Sequence, residues 1–314
     1  MNIGIDMMGG DFAPSEAVKG LDLYLSSAEP PADLYCIGNE SQLKLLLSPE
    51  QLYNPHIITI YAQEIVGMHE QATRALKDKK ESSLAVGFKM LATSAIDAFI
   101  SAGNTGAMLV GALYNVKPVS GIHRPAIASI LPKLSGKTGI LLDVGLNADC
   151  KPENLHQFAV LGSLYAEKVF GIKQPSIGLL NVGEEEGKGN LLVQAAYALL
   201  QHDSSIRFIG NIEGRDLFND KADVIVCEGF TGNVILKMAE SLYSTAIVRN
   251  IEDSFMHRFN YEIEGGSPIL GIAKPVIIGH GISNATAFSN MIKLAEKMVA
   301  SNFCNELAEL FTFT

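Results

Sequence analysis

Glu184, Glu185 and Glu186 lie between Gly183 and the run Gly187-Lys188-Gly189-Asn190, which puts both signs of charge in one glycine-rich loop. An apolar run, Ile177–Val182, precedes the loop, and a helical pattern, LLVQAAYALL, follows it. A buried strand, a glycine loop and a helix N-terminus point backbone N–H groups at whatever sits beyond the strand's carboxyl end, which suits an anion. Lys188 would attract that anion, and the glutamates would repel it.

Five other apolar runs end in small, polar, glycine-bearing turns. They hold Asp6, Gly9, Gly10 and Asp11; Gly103, Asn104, Thr105 and Gly106; Asp143, Gly145 and Asn147; Gly229, Thr231, Gly232 and Asn233; and His280, Gly281, Ser283 and Asn284. Open α/β sheets bind ligands outside the carboxyl ends of their strands. Six such turns on one edge would line a single cleft with N–H groups, amides and hydroxyls, whereas one alone would be an ordinary helix cap. Lys188, Arg124 and Lys151 are candidate phosphate counter-charges. Asn104, Asn147, Asn233 and Asn284 are neutral donors for a carbonyl or phosphate oxygen. The bland alternatives stay open: a solvated lysine at a helix start, an arginine in an inter-strand ion pair, Asp6 and Asp143 as caps, and His280 as a hydrogen-bonded loop histidine. Asp6 and Asp11 could also hold Mg²⁺, although aspartates at strand ends more often cap a helix.

The elements that must position these residues alternate along the chain. Strand patterns at Asn2–Met7, Leu34–Gly38, His56–Ala62, Ile96–Ser101, Ala126–Leu131, Gly139–Val144, Ile206–Ile212, Val224–Cys227 and Val276–Ile278 are separated by helical periodicity. Ser15 should cap the first helix, Pro152 should open the helix to Gly171, and long helices should cover Gly232–Phe259 and Ala285–Phe311. Repeated strand–loop–helix units imply a mostly parallel sheet covered on both faces. The expectation is one α/β/α domain over residues 1–314 with a helical excursion near 232–275, and Tyr261–Pro275 is its most mobile candidate.

The 314 residues are 47% hydrophobic and 18% charged, with a net charge of −10, a globular balance that speaks against nucleic acid as a partner. Four scattered cysteines, the absence of a basic leader and apolar h-region, and no apolar run of ~18 residues predict a reduced cytoplasmic protein that could reach a membrane only peripherally. No strand is followed by GxGxxG, and neither Gly183–Lys188 nor Gly136-Lys137-Thr138 completes a Walker A loop. No metal-ligand spacing stands out.

Taken together, IGIDMMGGDFAP, SAGNTGAML, GIHRPAIASILP, LLDVGLNADCKPENLHQFAVLGSLYAEKVFGI, GLLNVGEEEGKGN, GNIEGRDLF, ADVIVCEGFTGNVILK and VIIGHGISNATAF resemble the phosphate acyltransferases of bacterial phospholipid synthesis, the PlsX family. The resemblance runs from Met1 to at least Phe288. It implies a three-layer α/β/α sandwich related to isocitrate and isopropylmalate dehydrogenases and to phosphotransacetylases. It also implies transfer of a long-chain acyl group from the thiol of acyl carrier protein to inorganic phosphate. The acyl phosphate would pass to a membrane glycerol-3-phosphate acyltransferase. Members are typically homodimers that associate with the membrane surface. No cofactor is expected beyond the 4′-phosphopantetheine that the carrier brings.

That reaction asks the site to hold phosphate against a thioester, stabilise an oxyanion and exclude water. Lys188, Asn147, Asp143 and His280 are the residues expected at the reacting atoms, and the other turn residues are expected to bind substrate, with Glu184 and Glu185 orienting Lys188 or neighbouring basic groups. Cys150 marks a fork. Lys151 beside it could lower its pKa for a covalent route, but direct attack by phosphate is favoured because no neighbouring histidine could act as its base. The distal end of Gly232–Phe259 is either core or dimer packing, or a tip that touches membrane or carrier. Arg215, Lys221, Arg249, Arg258 and Lys274 are possible members of a basic patch for an acidic carrier. A short-chain phosphotransacetylase using coenzyme A and a non-enzymatic membrane scaffold are the alternatives.

Overall fold

Asn2–Asp6 becomes a strand because Ile3 and Ile5 are wholly buried and Gly4 and Asp6 on the opposite face are buried too. A strand enclosed on both sides belongs in the middle of a parallel sheet. In this computed structural model, which describes residues 1–312, the chain gathers into two compact units. The first takes Met1–Pro118, Tyr261–Pro268 and Ile272–Ala300; the second takes Val119–Asn260, Ile269–Gly271 and the segment from Ser301 onward.

The strands are β1 (Asn2–Asp6), β2 (Asp33–Gly38), β3 (Ile57–Tyr61), β4 (Ala98–Ser101), β5 (Ala126–Pro132), β6 (Thr138–Leu142), β7 (Ser176–Leu180), β8 (Arg207–Ile212), β9 (Val224–Val226), β10 (Ser267–Leu270) and β11 (Val276–Ile278). The principal helices are α1 (Ser15–Leu25), α2 (Ser83–Ala92), α3 (Thr105–Gly111), α4 (Pro152–Phe170), α5 (Leu191–His202), α6 (Gly229–Val248), α7 (Ala285–Ala300) and α8 (Phe303–Thr312).

In the first unit the order is β3-β2-β1-β4-β11, all parallel, with the first half of β10 antiparallel to β11. Helices α2 and α7 both pack on β1 and β4, and α1 lies along α7. The packing is close where glycines permit it. A Cβ on Gly87 of α2 would lie 2.3 Å from the Phe99 ring, and one on Gly20 of α1 would lie 2.5 Å from Phe288 Cβ.

In the second unit the second half of β10 pairs antiparallel with β5, and β5 pairs antiparallel with β6; β6, β9, β7 and β8 then run parallel. Helix α4 crosses β6 and β9 and packs against α5 and α8. Its Tyr165 ring meets the edges of Phe170 and Phe303. The sheet is mixed but mostly parallel and flanked by helices, the α/β architecture the alternating pattern implies.

Four local readings need correction. Pro14, not Ser15, occupies the N-cap of α1, and it offers no side-chain bond. The long helical stretch stops at Val248, where Asn250 takes φ +51, before a short turn of helix at Ser254–His257. The C-terminal helix breaks at Asn302, with φ +55. Within Tyr261–Pro275, read as a mobile excursion, β10 buries Pro268, Ile269 and Leu270 as a sheet strand. Pro152 does open α4, and Gly171 closes it in the left-handed conformation.

Candidate active site

Three turns come together in each unit, because the strands that feed them are parallel and end on one edge. In the first unit these are the turns after β1, β4 and β11. Asp6, 1% exposed, accepts from the Ser101 hydroxyl (2.6 Å) and from the Met8 amide (3.0 Å). Burial raises its pKa, and the Ser101 and backbone hydrogen bonds oppose the rise. Ser101 Oγ also receives the Gly103 amide. Gly9 fits against this knot only without a side chain, since a Cβ would stand 2.5 Å from Asp6 Oδ2 and 2.6 Å from Gly103 N. Asp11 is exposed, and its amide donates to the Gly281 carbonyl, tying the first and last of the three turns.

Asn104 is committed to structure at both ends. Its Oδ1 caps α3 at the Ala107 amide, and its Nδ2 donates to the carbonyls of Gly67, Met68 and Glu70. Thr105 and Gly106 begin α3, with Thr105 exposed. Asn284 Oδ1 accepts from Ala287 at the start of α7. Ser283 is 2% exposed, and its hydroxyl has no hydrogen-bond partner among the described residues. The His280 ring lies 4.9 Å from that of Tyr261, whose hydroxyl donates to the Ile282 carbonyl.

In the second unit the turns after β6, β9 and β7 converge, and the organising group is Asp143, wholly buried. Its Oδ1 accepts from the amides of Ile127 and Leu146, and its Oδ2 accepts from the amide (2.6 Å) and side chain (2.8 Å) of Asn147. Burial pushes this carboxyl up, opposed by those four donors. Asn147 Nδ2 also donates to the Pro125 carbonyl, and the Asn147 carbonyl receives the amide of Gly229, the first residue of α6. Gly232 is obligatory here, because a Cβ would fall 1.8 Å from the Asp143 carbonyl oxygen. Asn233, exposed, lies against Gly145. Glu228 caps α6, accepting from the Thr231 amide at 2.9 Å and from the Thr231 hydroxyl.

Beside this turn, a recess of about 470 Å³ at the N-terminus of the 19-residue α4 is lined by His123, Arg124, Lys151, Glu153 and Asn154. Two predicted counter-charges, Arg124 and Lys151, thus share one cavity. Arg124, though exposed, is held by a hydrogen bond to the Asp149 carbonyl at 2.7 Å. A helix N-terminus and two cations, against the single carboxylate of Glu153, favour an anion there.

Cys150 donates to the Asn147 carbonyl at 3.7 Å. The expectation that a neighbouring base lowers its pKa is reversed: burial first, and then the Asp143 charge, push the thiol up to about 11, outweighing Arg124. It therefore stays protonated at neutral pH and is a poor nucleophile.

The glutamate loop has a different internal logic. Lys188 is exposed and only 4.0 Å from Glu185 Oε1, whereas Glu184 pairs with Lys221 at 2.6 Å. Lys221 also holds Asp216 at 3.0 Å. Glu184, Glu213 and Asp216 bring ligand oxygens within 4.8 Å of one another, and Lys221 supplies the positive charge among them. Three residues that the sequence reading did not single out hold the loop's shape: Asn181 Nδ2 donates to the Lys188 carbonyl, Gln194 Nε2 to those of Gly187 and Gly189, and Asn211 Nδ2 to that of Glu185. Gly189 takes φ +89, and a Cβ there would strike Asn181 Oδ1 at 2.3 Å. Gly183 is buried at the loop's start.

Of the five bases considered for a carrier patch, three are engaged. Lys221 is paired as above, Arg215 pairs with Glu213, and Arg258 donates to the carbonyls of Lys133 and Lys137. Among the described residues no helix is long and apolar enough to cross a membrane.

A second cavity of the same unit, about 490 Å³, runs from Glu228, Thr231 and Asn181 over a mainly aliphatic lining that includes Leu155, Leu179, Leu217 and Ile235.

The backbone arrangement is one seen in solved phosphotransacetylases. The fold aligns with a phosphotransacetylase from Streptococcus pyogenes at a TM-score of 0.69 and 16% identity, over 95% of this chain and 94% of that one. It aligns with 4-hydroxythreonine-4-phosphate dehydrogenase from Klebsiella pneumoniae at 0.57 and 14%, over 95% and 99%. At such identities the likeness is one of fold. In sequence, residues 1–306 match the fatty acid synthesis protein family. A phosphate acyltransferase from Dictyoglomus turgidum is 42% identical over an aligned 318 residues, 95% of this chain and 94% of the relative. The chain belongs to this family, the phosphate acyltransferases.

Proposed function

We propose that the chain moves a long-chain fatty acyl group from the thiol of acyl carrier protein to inorganic phosphate, releasing acyl phosphate for a membrane glycerol-3-phosphate acyltransferase. A phosphate oxygen forms a bond to the thioester carbonyl carbon, the carbon–sulfur bond breaks, and the pantetheine thiolate leaves and takes up a proton. The observation that carries this reading is the recess at α4, where Arg124, Lys151 and a helix N-terminus offer an anion site beside the turn anchored on Asp143. Phosphate held there is both substrate and nucleophile. The high pKa of Cys150 supports direct attack over an acyl-cysteine route. Asp143 fixes Asn147, and the Asn147 carbonyl fixes the Gly229 amide, so the turn beside the recess is held rigid where the acyl group must be oriented against phosphate.

The same reading makes the protein a cytoplasmic homodimer that meets the membrane surface peripherally. Exposed Ile247 and Val248 at the end of α6 and Ile251 just beyond it support that contact. The test is acyl-phosphate formation from palmitoyl-carrier protein and phosphate, with acetyl-coenzyme A in parallel. Product from the first donor only is the expected result. Faster turnover of the acetyl donor would assign a short-chain phosphotransacetylase, and no product from either would leave a scaffold.

A further inference from the structure

We infer that the apolar cavity of the second unit holds the donor's fatty acyl chain, with its thioester end at Glu228 and Thr231; this rests on the acyl-transfer reading above. The cavity's 490 Å³ is within the ~300–1,000 Å³ range of ligand sites, and its lining is mainly aliphatic. Its floor is dry. Leu155 of α4, Leu179 of β7 and Leu217 after β8 are each 3% exposed or less. Its rim is not: Val182 is 79% exposed and Met238 51%. An apolar trough open to water gains stability when an apolar occupant covers it, in proportion to the area removed from water.

The polar end points to what that occupant is. Cys227 and Glu228 line the cavity and lead into Gly229, whose amide is held by Asn147. The Cys227 thiol donates to the carbonyl of Asp143. One helix also walls both cavities: Asn154 faces the cationic recess and Leu155, the next residue, faces the apolar one. The apolar cavity thus runs from its aliphatic floor to a carboxylate end at Glu228, and the recess of Arg124 and Lys151 begins at the neighbouring residue of α4. A long hydrocarbon chain ending in a carbonyl that phosphate attacks matches that arrangement. An acetyl group would leave the aliphatic part unfilled.

The test uses the full-length protein and two variants that fill the cavity, Leu217→Trp on its floor and Ile235→Trp on its half-buried wall. Binding of a fluorescent polyene fatty acid is measured alongside kcat/KM for palmitoyl and butyryl donors. The expected result is at least about a tenfold loss of fatty-acid affinity and the same loss in the palmitoyl-to-butyryl rate ratio, in whichever variant folds and in both if both do. Unchanged fatty-acid binding, or an equal fall with both donors, would overturn the assignment. So would a wild-type dimer that Ile235→Trp dissociates without altering fatty-acid affinity, since a second copy would then be the occupant. Wild type that binds the fatty acid yet makes no acyl phosphate would defeat the acyl-transfer reading and leave the cavity assignment standing. Active wild type with indifferent variants would do the opposite.

Discussion

Lys221 Nζ lies 2.6 Å from Glu184 Oε1 and 3.0 Å from Asp216 Oδ2, so the first glutamate of the glycine-rich loop is tied to the chain after β8 and not to Lys188. The loop's acid is thereby partly neutralised from outside the loop. Asn181, Val182 and Gly189 at the ends of this loop line the apolar cavity, so Glu184→Gln and Lys221→Met are expected to raise the KM for the acyl donor to a similar degree, and the double variant should be no worse than the worse single. A double-mutant cycle on KM and on urea midpoints should give a coupling of about 0.5–1 kcal/mol for a half-exposed pair. Strict additivity would mean the pair does not position the loop.

Arg124 and Lys151 share the α4 recess. Arg124→Ala should raise the KM for phosphate by about tenfold or more, the worth of a charge-assisted hydrogen bond, with kcat less affected. Arg124→Lys should recover part of the loss, because the charge returns without the planar fork. Steady-state kinetics with phosphate as the varied substrate checks both.

Asp143 accepts four N–H bonds while wholly buried. Asparagine there would turn an NH₂ group toward donors. Asp143→Asn should cost about 2–4 kcal/mol of stability, from one or two buried groups left unpaired. Acyl-phosphate formation should fall by about two orders of magnitude, as expected when the turn that orients the reactants loses its anchor. Thermal unfolding and turnover of the same sample separate the two effects.

Cys150 keeps its proton to about pH 11. Cys150→Ser should therefore retain most activity, and alkylation of this thiol by iodoacetamide at pH 8 should be slower than that of free cysteine. Complete loss of turnover in a folded Cys150→Ser variant would restore the covalent route.

Lys133 is 2% exposed, and its ammonium donates to the Leu217 carbonyl. Burial pulls its pKa from 10.5 down to about 8, against the opposing pull of Asp223, Asp220 and Asp216. Between those values the folded chain binds fewer protons than the unfolded chain, so stability rises with pH across the window, and the charged lysine's cost is fully present below it. Relative to Lys133→Met, wild type should gain up to about 3 kcal/mol between pH 7 and pH 11. Urea unfolding of both proteins at the two pH values measures it.

The alternation of apolar runs with helical periodicity made the sheet class legible, and the glycine turns marked the edge where the candidate site forms. Local rules carried that far because strand, turn and cap are local. They failed where a residue's role is set by a distant partner. Nothing near Asn211 or Gln194 shows that their side chains hold the glutamate loop from β8 and α5. KLSGK is polar in sequence, yet Lys133 within it is buried, with its ammonium held by the Leu217 carbonyl. Ser267–Leu270 is four residues long and contains a proline, so it has no strand signature until β5 and β11 pair with it. Asn104 looked like a free amide because a sequence cannot show the three carbonyls that converge on it from residues 67–70.

The interleaving of the two units has a consequence for biogenesis. The first unit lacks β11 and α7 until residue 300 exists, and the second lacks α8 until residue 312. A chain growing from the ribosome would thus hold two incomplete units for most of its synthesis, with the apolar faces that α7 and α8 later cover still exposed. Neither unit can finish early and shelter there while the other is made. A stop near residue 260 would leave both units incomplete.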